Sequence, residues 1–102
     1  ARSLAPTAPE IPSDSIGSLF QLGFLKYQAG DYPSAVQVLE QALALDPNFA
    51  NARYFLGLSY DRLGRRPAAL EEFLTIQRFN PDHSGLKQII NNLQQDLPAL
   101  NG

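Results

Sequence analysis

Apolar and polar residues alternate along residues 16–97 with the three-to-four-residue rhythm of amphipathic helices, and the rhythm breaks at Gly30 to Pro33, Pro47, Gly64 to Pro67 and Pro81. The breaks carry the chemistry of helix ends. Gly30 and Gly64 can take the left-handed backbone that closes a helix, while Pro33 and Pro67 fall in the first turn of the next, where a missing amide costs nothing. The pattern therefore predicts five helices, at about 15–29, 33–46, 49–63, 67–79 and 83–97. Leu19, Leu22 and Leu25 or Lys26 recur at helical spacing in the first; Ala35, Val38 or Leu39, Ala42 and Leu43 or Leu45 do so in the second. Leu56, Tyr60 and Leu63 mark the third, Ala69, Phe73 and Ile76 the fourth, and Leu86, Ile90, Leu93 and Leu97 the fifth. Asp14, Asn48 and Asp82 each stand just ahead of an apolar-periodic segment and are candidate N-caps. Residues 1–15 differ: Pro6, Pro9 and Pro12 strip amide donors and push their neighbours out of the helical region, so this stretch reads as an extended linker.

Placing each residue beside the one 34 positions on gives identities at Leu22/Leu56, Gly23/Gly57, Gly30/Gly64, Pro33/Pro67, Ala35/Ala69 and Pro47/Pro81. Phe20/Tyr54, Val36/Leu70, Leu39/Phe73 and Ala42/Ile76 match in kind. Gly23 and Gly57 lie inside helices, where glycine costs about 1 kcal/mol relative to alanine. Close approach of a large residue from the paired helix would explain keeping it twice.

These residues resemble the tetratricopeptide repeat family, whose pattern is Trp-x2-Leu-Gly-x2-Tyr, then Ala-x3-Phe, then Pro. Leu19-x2-Leu22-Gly23, Ala35-x3-Leu39, Ala42 and Pro47 carry it in the first repeat; Arg53-x2-Leu56-Gly57-x2-Tyr60, Ala69-x3-Phe73, Ile76 and Pro81 carry it in the second. The resemblance implies an all-α, right-handed α-α superhelix. It divides the chain into a linker (1–15), two repeats (16–49 and 50–83), a capping helix (84–97) and a tail (98–102). Lys26 replaces the pattern's Tyr and Arg53 its large aromatic, substitutions that would loosen the convex packing. In the capping helix Asn91 replaces the glycine, and Asn91, Asn92, Gln94 and Gln95 are expected to solvate its free side.

In this family the first helices of the repeats line a concave peptide groove. By resemblance the groove residues are Phe20, Phe24, Tyr27 and Gln28 from the first helix, Asn51, Tyr54, Leu58, Asp61 and Arg62 from the third, and Gln88, Asn92 and Gln95 from the fifth. Phe20, Phe24 and Tyr27 also stand at i, i+4 and i+7, an aromatic stripe apart from the Leu19, Leu22 and Leu25 side. A helix apolar nearly all round must bury more than one face, so the stripe is either packed inside the fold or free to bind. The family's best-known groove clamps chaperone-tail carboxylates with Lys and Asn. Here Phe20, Phe24 and Phe55 occupy the matching positions, which suits an apolar or proline-containing peptide, or an amphipathic helix.

Composition narrows the chemistry. Eight Lys and Arg against ten Asp and Glu, a net charge of −2, argue against nucleic acid as a partner. No apolar run is long enough to insert in a membrane. With no Cys, one His and no Gly-rich phosphate loop or metal-ligand spacing, neither catalysis, a cofactor nor a metal is expected. His83 reads as a solvated first-turn residue, and Glu71 and Glu72, adjacent on a helix, diverge rather than pair. Arg62, Arg65 and Arg66 read as cations at a helix end, with an acidic partner as the functional alternative. With Ala1 first and no Met, the chain reads as a piece of a larger protein. The expected function is a scaffold module binding a peptide or neighbouring domain in the aromatic groove. The alternative is homo-oligomerisation through that groove or the Leu86, Ile90, Leu93, Leu97 stripe, since two repeats are few for a continuous core. Leu4 to Pro12 could also fold back onto the aromatic face.

Overall fold

Five helices and no strand make up the described residues, 15–83 and 85–100, of the computed structural model: α1 (Ile16–Gln28), α2 (Tyr32–Leu45), α3 (Ala50–Arg62), α4 (Arg66–Phe79) and α5 (Leu86–Gln94). α1, α3 and α5 end alike. Gly30, Gly64 and Asp96 sit in the left-handed region at φ 81°, 80° and 60°. Each donates its N–H to the carbonyl three residues back (Tyr27, Asp61, Leu93), and the next residue donates five back (Lys26, Tyr60, Asn92). This double closure satisfies carbonyls that a helix end leaves unpaired. Asp31 then caps α2, its Oδ1 accepting from the Ser34 N–H at 3.4 Å, and Pro33 and Pro67 stand in the first turns of α2 and α4.

The fifth helix is shorter than the periodicity predicts. Residues 80–83 form a turn rather than a helical start, and the closure at Asp96 leaves Leu97 outside the helix. Two predicted N-caps are not caps: the residue ahead of α3 is Phe49, and Asn48 gives its own amide to Asp46 Oδ1 at 3.1 Å. Gly85, not Asp82, precedes α5. Asp14 lies outside the described residues, as do Leu4 to Pro12.

Consecutive helices pack in order along the chain, and α1 also touches α3. One core gathers Leu19, Ala35, Leu39, Ala42 and Leu56; the other gathers Leu58, Phe73, Ile76, Leu86, Ile90 and Leu93. Leu39 lies over Gly23 and Phe73 over Gly57, where no side chain keeps the helices apart. Because Leu86, Ile90 and Leu93 are spent in this core, the α5 stripe is not an open interface. Leu22 and Leu25, read as part of the α1 core stripe, are instead 44% and 53% exposed. Their counterparts one repeat on, Leu56 and Ser59, are buried because α2 packs against α3; among the described residues no helix precedes α1 to do the same. At the other end α5 turns Lys87, Asn91 and Gln94 to solvent, the positions at which α1 and α3 meet their partner helices. That face is closed by polarity.

Candidate peptide-binding face

The first helices of the two repeats bring five aromatic rings into one continuous cluster, which Phe49 and Tyr32 extend. Phe20 stacks near Phe24 (6.3 Å between ring centres) and tilts against Phe49 (5.2 Å) and Phe55 (6.1 Å). Phe24 meets Phe55 edge-on at 4.9 Å, Tyr27 reaches Phe55 at 5.4 Å, and Tyr54 meets Phe55 at 5.3 Å. Phe20, Phe24, Tyr27, Tyr54 and Phe55 are all half-buried; four of them pack on the cores, Phe24 leans on Phe20 and Phe55, and all five present a face. Edge-on and tilted pairings of this kind contribute about 0.5–1.5 kcal/mol each beyond area burial. Burial also pushes the Tyr27 phenol up from its usual range. Beside the cluster, Asn51, Tyr54, Phe55, Asn80 and His83 border a cavity of about 420 Å³. His83 is exposed as expected, but it also stacks on Tyr54 at 6.5 Å and 23°.

The other residues expected in the groove divide into two sets. Gln28, Asn51, Arg62, Gln88 and Gln95 are exposed. Leu58, Asp61 and Asn92 are not: they are 3%, 8% and 3% exposed. Leu58 belongs to the core, and Asn92 does not solvate the free side of α5. What covers the other two is the segment after α5. Asp61 Oδ2 accepts the Ala99 N–H at 3.1 Å, and Asn92 Nδ2 donates to the Ala99 carbonyl at 3.0 Å. Gln88 Nε2 in turn donates to Asn92 Oδ1 at 2.9 Å, and Arg66 Nε donates to Asp61 Oδ1 at 3.2 Å. Nothing in the local sequence around Ala99 announces this role, since a main-chain grip needs no particular side chain. Phe49 and Tyr32, which complete the aromatic cluster, also escape a reading confined to first-helix offsets; both sit in turns or second helices.

Two of the three clustered arginines are used within the fold. Arg62 Nε donates to the Tyr32 hydroxyl at 3.1 Å with its guanidinium 5.5 Å from the ring centre, while Arg66 Nη1 reaches both the Asp96 carbonyl and carboxylate. Among the described residues no group of three His, Cys, Asp or Glu side chains could hold a metal ion, and no helix is long and apolar enough to cross a membrane.

A family model described as TPR repeat matches residues 15–64. Superkiller protein 3 of Schizosaccharomyces pombe (strain 972) is 33% identical over 76 residues, 74% of this chain and 6% of that protein. The chain thus spans a small part of the relative it matches. Repeats of this kind form non-catalytic scaffolds that mediate protein–protein interaction. Two helical hairpins in phase, each closing a large residue over a helix glycine, agree with both matches, and the chain belongs to the tetratricopeptide repeat family.

Proposed function

We propose that this chain is a binding module, without catalysis of its own, that holds a peptide or a neighbouring domain against the aromatic face of α1 and α3. The observation that supports this best is the half-buried cluster in which Phe24 and Phe55 meet at 4.9 Å: Phe55 packs on both cores, Phe24 leans on it, and each ring keeps a free side. Aromatic rings so fixed offer large contact area at little entropic cost. The exposed amides of Gln28 and Asn51 along the same face would orient a ligand. Peptides selected from a displayed random library against the wild-type chain should lose about tenfold or more in affinity for Phe24→Ala/Tyr54→Ala, as expected for anchors of roughly 1.5 kcal/mol or more. Helical content, read by circular dichroism, should persist. Equal binding by the folded variant would overturn the proposal.

A second reading, self-association, is favoured by one observation: Leu22 and Leu25 are exposed at positions that the second repeat buries. The α1 outer face, rather than the groove or α5, would then be the contact.

A further inference from the structure

The segment after α5 behaves like a ligand of the concave face. Both main-chain polar groups of Ala99 are gripped by side chains from two different helices, Asp61 of α3 and Asn92 of α5, and its methyl is 1% exposed among the core residues. The leucine side chains on either side are far less buried: Leu97 is 37% exposed and Leu100 60%. A cavity of about 430 Å³ continues from Ala99 and Leu100 between Tyr54, Gln88 and Ile89. Asn92 is itself oriented from behind by Gln88 of the same helix, and Asp61 by Arg66, which also holds Asp96 at the start of the segment.

We infer that Asp61 and Asn92 form a main-chain-reading peptide site for a small residue in an apolar context, and that residues 98–100 are its resident occupant, displaceable by a separate peptide of the same proline–small residue–leucine chemistry. An N–H acceptor and a C=O donor read any residue alike. Selectivity comes from the closed space around the Ala99 methyl, which admits only a small side chain, and from the apolar lining by Tyr54 and Ile89, against which a following leucine can lie. A hold concentrated on one residue between two exposed leucines opens locally without unfolding the helices. The resident segment therefore competes with any ligand for this half of the face.

This rests on reading the concave face as a peptide site, but its test is separate from that of the aromatic half. In the full chain, Ala99→Glu places a carboxylate beside Asp61 in a closed apolar position and ejects the segment. A fluorescein-labelled synthetic peptide, Asp-Leu-Pro-Ala-Leu, titrated by fluorescence anisotropy, should bind Ala99→Glu at least tenfold more tightly than wild type. Adding Asn92→Ala should remove the gain. A folded Ala99→Glu that binds no better, or a gain that survives Asn92→Ala, overturns the inference while leaving Phe24-dependent capture untouched. If Ala99→Glu loses helical content, amide hydrogen exchange on the wild-type chain decides: the Ala99 amide should exchange at least tenfold faster than that of Phe73, and equal rates overturn the inference.

Discussion

A methyl group built on Gly57 would stand 2.7 Å from Cε2 and Cζ of Phe73, and one on Gly23 would stand 2.5 Å from Cδ2 of Leu39. Two effects oppose each other at such a position. Alanine gains about 1 kcal/mol in helix propensity, whereas forcing a methylene into a filled core costs about 1–3 kcal/mol. Phe73 is fully buried with core residues around it, so the steric cost wins there. Gly57→Ala should lower stability by up to about 2 kcal/mol net, measured as a lower urea midpoint with an unchanged slope, and Phe73→Leu should cost less in that background than in wild type. This contact was legible in the sequence because an unfavourable glycine recurs at the same offset in both repeats. Arg53 was not legible. In place of the family's aromatic it donates to Glu72 at 2.8 Å and to the Pro47 carbonyl at 2.6 Å, a bracing role that depends on a residue in another helix.

Between elements, the bond from the Tyr60 hydroxyl to Glu40 Oε2, 2.6 Å, ties α3 to α2 across the repeat boundary. Burial first, and then the bond to the carboxylate, pushes the Tyr60 phenol from its ordinary 10.0 up to about 12. The folded state therefore keeps a proton that the unfolded chain releases. Its contribution to stability is fully present below pH 10 and is lost as the pH rises through about 12. Unfolding midpoints of the wild type should fall across that window more steeply than those of Tyr60→Phe, which has no proton to lose there. An equal fall in both would show that the bond carries no linkage. The helices themselves were largely visible before the structure, because glycine and proline act on their own backbone. Their exact ends were less so. Asp46 uses its carboxylate within a turn, Phe49 precedes α3 without a side-chain cap, and Asp96 takes a left-handed conformation that its residue type permits but does not announce. Likewise Asp61 and Asn92 match groove offsets, yet their burial by Ala99 comes from a contact 38 and 7 residues away, which no local pattern encodes.

At the scale of the whole molecule the two ends of the helical stack differ. α5 closes one end with Lys87, Asn91 and Gln94, while α1 leaves Leu22 and Leu25 about half exposed at the other. In a symmetric dimer through α1, four half-exposed leucines would contribute about 1 kcal/mol each, scaled from roughly 1.5–3 kcal/mol for full burial. That total is close to the smallest cost of association, about 4 kcal/mol. The net is then near zero, a dissociation constant on the order of 1 M, so these leucines alone do not hold two copies together. Sedimentation equilibrium should therefore show monomer up to the millimolar range, and Leu22→Gln/Leu25→Gln should leave the mass unchanged while shifting stability by only about 0.5 kcal/mol. A mass that rises toward the dimer in that range, and falls back in the double variant, would show that the α1 face gains more on pairing than its leucines account for. The same comparison indicates what would bind α1 more firmly. α2 covers Leu56 and Ser59 with a stripe that includes Val36, Leu39 and Leu43, so a helix offering a comparably broad apolar stripe would bury α1 more completely than a second copy of α1 can.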